Sequence, residues 1–201
     1  MLAIFKREFK SYFQNVIGWL FVAALLAVYG LYFYVYNLKN GYPYISYDLN
    51  GIGFIMMIAV PILTMRSLSD EKKTKTDQLM LTSPVSVGKI VAGKYFAMAA
   101  VYTIDIALFA LSPLVLSIYG KVALSEAYVA LFGYWLYGLS CIAVGLFISS
   151  ISESVIISAI LTFAALFLSY MMQSITGLIS SSGNLLTKVL NCFDLYTPFE
   201  N

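Results

Sequence analysis

The stretch Arg66-Ser67-Leu68-Ser69-Asp70-Glu71-Lys72-Lys73-Thr74-Lys75-Thr76-Asp77-Gln78-Leu79-Met80-Leu81-Thr82-Ser83-Pro84 stands as a charged island between two apolar runs, 51–65 and 90–118. The chain has 201 residues, 61% of them hydrophobic and 11% charged, so too little polar sequence remains to coat a soluble domain. That composition is the composition of an integral membrane protein, and the island cannot lie in lipid. It faces water, and what meets it there is the functional question.

Outward from the island, five segments are apolar over lengths suited to a bilayer: 16–36, 51–65, 90–118, 127–149 and 155–176. At about 1.5 Å per residue, all but the second reach across a hydrocarbon core of about 30 Å. The second is short and carries Pro61, so it must borrow length from its flanks. Pro113 predicts a kink within the third. The first run is too long for the core of a signal peptide and reads as an uncleaved span. Ahead of it, at helical spacing, Leu2, Phe5, Phe9 and Phe13 share one face with Tyr12 beside them, while Lys6, Arg7 and Lys10 lie on the other. This is the pattern of a helix lying flat at a bilayer surface.

The basic residues orient these spans. Lys6, Arg7 and Lys10 precede the first span, and Arg66, Lys72, Lys73, Lys75, Lys89 and Lys94 surround the island. Only Lys39, Lys121 and Lys188 fall on the opposite side, which predicts a cytoplasmic N-terminus and a cytoplasmic island. Tyr32, Tyr34, Tyr36, Tyr42, Tyr44 and Tyr47 then cluster at the outer interface as aromatic anchors. Five spans starting inside leave the polar segment 177–201 on the outer side.

The chain holds no histidine, which removes imidazole catalysis and histidine metal sites. Cys141 and Cys192, one in an apolar segment and one in a loop, form no metal-ligand pattern and read as structural bystanders. Gly88-Lys-Ile-Val-Ala-Gly93-Lys94 matches the outline of a phosphate-binding loop. Tyr95 stands where the Mg²⁺-holding Ser or Thr must follow, and a membrane helix replaces the strand that should precede, so the match is rejected. Asp105 lies well inside the third span, where a carboxylate costs about 2.5–3.5 kcal/mol on insertion scales. Two readings stand: a residue on a substrate or proton path, or a structural hydrogen bond to a neighbouring Tyr, Ser or Thr hydroxyl. Cys141, Gly145 and Ser149 recur every four residues in the fourth span, and Gly93 and Ala97 share that spacing in the third. Small residues so placed let helix backbones approach, inside the protein or at a dimer seam. In the island, Leu79, Met80 and Leu81 sit among polar residues before Ser83-Pro84 stops the helix. Apolar residues on a short helix in water mark an interaction site.

These residues resemble the type-two permease subunits of ABC transporters, including the exporter branch similar to gliding-motility and antibiotic-efflux permeases. That family's cytoplasmic stretch reads approximately E-r-r-s-G-T-l-e-l-L-l-t-s-P-v-s, and Glu71, Thr76, Leu79, Leu81, Thr82, Ser83, Pro84, Val85 and Ser86 match it without a gap. Lys94 matches a lysine that follows. Phe5-Lys-Arg-Glu-Phe-Lys-Ser-Tyr-Phe13 resembles the family's elbow helix, and Leu146-Phe-Ile-Ser-Ser-Ile-Ser-Glu-Ser154 its link between the fourth and fifth spans. Lys75 and Asp77 depart from the pattern, standing where Gly and an apolar residue are usual.

The resemblance implies an all-α permease domain over 1–201. It would comprise an elbow helix at 1–15 using Phe5, Arg7, Phe9 and Phe13, a cytoplasmic coupling region at 66–86, and an extracytoplasmic segment at 177–201. Such permeases commonly have six spans, so a sixth is expected beyond Asn201. The coupling helix, through Glu71, Thr76, Leu79, Met80, Leu81, Thr82 and Pro84, would dock on a separate ABC ATPase subunit that binds the ATP and Mg²⁺. This chain would bind no cofactor, pair with a second permease subunit as a homo- or heterodimer, sit in membrane lipid of a prokaryotic inner membrane, and engage no nucleic acid. Asp105 would lie on the translocation path. The alternative is a membrane anchor or scaffold that holds a cytosolic partner without moving a substrate.

Overall fold

The computed structural model describes residues 2–42, 44–73, 86–119 and 123–179, and every regular element among them is a helix. Helix α1 (Leu2–Gln14) ends at Asn15, whose extended backbone turns the chain into α2 (Val16–Phe33). A wider π-helical turn, Tyr34–Lys39, continues α2, and α3 (Ser46–Thr64) returns beside it. A short helix α4 (Ser69–Lys73) follows, then α5 (Val87–Phe109), α6 (Ser112–Tyr119), α7 (Leu124–Ile151) and α8 (Val155–Ile179).

Four stretches are helical and apolar over lengths that cross a membrane: Val16–Lys39, Ser46–Lys73, Val87–Ile118 and Leu124–Ile151. Helix α8 supplies a fifth apolar helix. The protein is therefore an all-α integral membrane protein.

Two boundaries differ from the sequence reading, each for a local reason. The second span begins at Ser46, five residues before the apolar run, because Asp48 is buried against Asn37, whose amide donates to its carboxylate. That bond offsets part of the cost of taking the carboxyl out of water, at one of its two oxygens. The third span is interrupted just ahead of Pro113 rather than running on as one helix. It stops at Phe109 and restarts at Ser112, with Pro113 in the first turn of α6, where the missing N–H is no loss. The Ser112 hydroxyl lies against the Phe109 carbonyl at 2.7 Å and also meets the Tyr29 hydroxyl of α2.

Helix α3 is the axis of the bundle and packs against α2, α7 and α8, while α5 packs against α1, α2 and α7. Leu49, Ile52, Met56, Met57, Val60 and Leu63 of α3 are all fully buried and share one broad face of the helix, while Phe54 and Ile58 remain exposed on the other. The stripe of small residues on α7 faces inward. A Cβ built on Gly145 would lie 2.5 Å from Thr64 Oγ1, so only glycine lets α3 and α7 approach at that level. Of the two places open to those small residues, the interior of the protein is the one occupied.

Candidate functional site

The elements converge at the end of the bundle where the basic residues gather. Helix α1 lies against α5 with its aromatic row half-buried: Phe5 and Phe9 stack at 5.9 Å, Phe9 and Phe13 meet at 5.0 Å, and Trp19 closes edge-on against Phe13 at 5.3 Å. Gly93 makes the contact possible, because a Cβ there would stand 3.0 Å from the Ile4 side chain. Lys6, Arg7 and Lys10 remain on the exposed side of α1, and Arg7 pairs with Glu8 at 2.8 Å.

One residue beyond Gly93, Lys94 is 2% exposed. A buried ammonium is tolerable only when its donors are satisfied, and it has three. Lys94 Nζ donates to Glu71 Oε1 of α4 at 2.7 Å, to the Ser67 carbonyl at 2.8 Å and to Glu8 Oε1 of α1 at 3.4 Å. A single cation on α5 thus ties down both the N-terminal helix and the start of the charged island. Tyr12 is packed into the same corner near Glu8, Ser67 and Glu71. Burial, with help from those two carboxylates, pushes its phenol above the ordinary tyrosine range.

The other side of the turn is held by α7. Ser149 Oγ accepts from the backbone N–H groups of Leu68 and Ser69, each at 3.2 Å, and Lys72 Nζ donates to the Ser150 carbonyl. The Ser69 hydroxyl donates back to the Met65 carbonyl. Residues 65–73 are therefore clamped between α5 and α7 by polar contacts that only this chain reversal needs.

The candidates from the sequence distribute as follows. Phe5, Phe9 and Phe13 share a face as expected, and Arg7 lies on the exposed side. Glu71 is brought to Lys94. Thr76, Leu79, Met80, Leu81, Thr82 and Pro84, together with Lys75 and Asp77, lie outside the described residues. Gly88 to Lys94 form the opening turns of α5 rather than a loop, which agrees with rejecting the phosphate-loop match. The hydroxyl partner foreseen as one reading of Asp105 is not found among the described residues. Asp105 is fully buried, and neither carboxylate oxygen has a hydrogen-bond partner among the described residues.

Sequence reasoning missed Glu8, Ser67 and Ser149 as partners. Glu8 had a signal, being a lone acid in a basic helix, and Lys94 stood four residues inside an apolar run. Nothing one-dimensional joined Glu8 to Lys94 across a sequence separation of 86.

Fold and site together define a class: a multi-pass helical membrane protein whose water-facing turn is built into the bundle by a buried cation. The chain belongs to the ABC-2 family of transporter proteins, whose family model matches residues 31–201. It is a permease component of the ABC-2 type. No curated protein and no solved structure matches the chain.

Proposed function

We propose that this chain is the membrane subunit of an ATP-driven exporter, of the branch similar to gliding-motility and antibiotic-efflux permeases. In this reading its basic end faces the cytoplasm of a prokaryotic cell. The region 66–86 docks on a separate ABC ATPase, which holds the ATP and Mg²⁺, and a second permease subunit completes the pore. The observation that carries the reading is the three-way bond of Lys94. Force applied to the island reaches Glu71, passes through one buried ammonium to α5, and reaches α1 through Glu8. A loop whose only task was topology has no use for such a tie.

Asp105 belongs to the same reading as the group on the translocation path. A buried carboxyl without a partner in one conformation is suited to meeting water or substrate in another.

The experiment is co-purification of the permease with its co-expressed ATPase subunit, comparing wild type with Glu71→Lys plus Leu79→Asp. Loss of the ATPase from the double variant, with the permease still inserted, is the expected result. Retention of the ATPase at wild-type yield, with unaltered ATPase activity, overturns the coupling assignment. An anchor without transport would keep the binding sensitivity yet leave the ATPase rate unchanged by the permease.

A further inference from the structure

A cavity of about 540 Å³ opens on one side between α1, the start of α2 and the turn after α3. Three cations, Arg7, Arg66 and Lys94, and three carboxylates, Glu8, Asp70 and Glu71, line it with neutral polar residues between them. The charges are unevenly committed. Lys94 is taken by Glu71 and Glu8, and Glu8 is taken again by Arg7. Arg66 is exposed and makes no ion pair or hydrogen bond among the described residues. The cavity therefore presents one uncommitted guanidinium, with the unused N–H groups of Arg7 as a second donor and the Asn15 and Gln14 amides nearby.

Its place decides the ligand. One wall is the polar side of α1, whose other side is the Phe5–Phe9–Phe13 row, and the exposed Trp19 at the start of α2 extends that row, its indole N–H on the Phe13 carbonyl at 2.9 Å. Amphipathic helices and tryptophans of this kind lie at headgroup depth. A guanidinium facing a polar cavity at that depth matches the phosphate of a glycerophospholipid, whose planar oxygen pair it can bind bidentately while the acyl chains stay in the bilayer.

We propose that this cavity is a phospholipid headgroup site, with Arg66 and Arg7 holding the phosphate. A lipid seated there bridges α1 to the turn that begins the charged island. The assignment depends only on the geometry of this corner and is independent of the ATPase reading.

Native mass spectrometry of the full chain in detergent tests it, using dioleoyl phosphatidylglycerol, dioleoylglycerol with the same chains and no phosphate, and free glycerol 3-phosphate as competitor. Phosphatidylglycerol should be retained in preference to dioleoylglycerol. Arg66→Gln should weaken that retention at least about tenfold, as expected for losing a charged hydrogen bond. Arg66→Lys should fall between, keeping the charge and losing the fork. Lys6→Gln, a change on the exposed side of α1 away from the cavity, should leave retention unaltered. Equal retention of the two lipids, or retention unaffected by both Arg66 substitutions, overturns the site. An equal loss in Lys6→Gln reduces the effect to general surface charge and also overturns it. Displacement of the lipid by equimolar glycerol 3-phosphate assigns the cavity to a soluble phosphate and overturns the lipid.

Discussion

Lys94 gathers three acceptors onto one ammonium, so its replacement acts on three elements at once. Lys94→Met keeps the volume and leaves Glu8 and Glu71 facing a wall with no counter-charge. Breaking a buried pair from one side costs about 3–5 kcal/mol, and because both carboxylates still touch water, the low end of about 3 kcal/mol is expected. Denaturant unfolding in detergent measures it. Adding Glu8→Gln and Glu71→Gln to Lys94→Met should recover part of the loss, since the residues form one network. Asp105 should behave in the opposite way. Its carboxyl is buried without a hydrogen-bond partner among the described residues, so Asp105→Leu should raise stability by about 1 kcal/mol or more, while lowering the ATPase activity of the assembled transporter. Unchanged activity beside raised stability would remove Asp105 from the translocation path.

At the scale of elements, the fit of α3 on α7 depends on a missing methyl group. Gly145→Ala places a Cβ 2.5 Å from Thr64 Oγ1 and should cost about 1–3 kcal/mol by overpacking, more than the helix propensity it gains. Thr64→Ala in the same chain should return most of it, and thermal unfolding of the single and double variants decides. The spacing of Cys141, Gly145 and Ser149 was legible in the sequence because helical period is a property of one helix. Its assignment was not, because period says which residues share a face and never what the face meets. Ser149 shows the difference. It sits on the small-residue stripe, yet its hydroxyl caps two backbone N–H groups of a turn 80 and 81 residues earlier. The early start of α3 escaped for a related reason. Asp48 breaks the apolar pattern, and only its pairing with Asn37, across the bundle's far end, lets it enter the helix buried.

For the whole molecule, hydropathy was enough to give the class and the order of the apolar helices, because burial in lipid acts on every residue separately. The positive-inside distribution also makes a topology prediction. A single cysteine at Tyr44, introduced with Cys141 and Cys192 replaced by Ala, should be labelled in intact cells by an impermeant maleimide. One at Lys73 should be labelled only after permeabilisation, and the reverse pattern would invert the protein. The site itself was legible only in halves. Glu71 and Lys94 stood out by resemblance, whereas the closure through Glu8 and Ser67 is a tertiary fact. The central claim, that the charged island is where an ATPase docks, is tested most directly by photocrosslinking. With a benzoylphenylalanine at position 79 in membranes that carry both subunits, ultraviolet light should yield an adduct with the ATPase, and the same probe at position 44 should yield none. An ATPase adduct from position 44, or none from positions 79, 80 and 81 alike while the subunits still co-purify, would contradict the account.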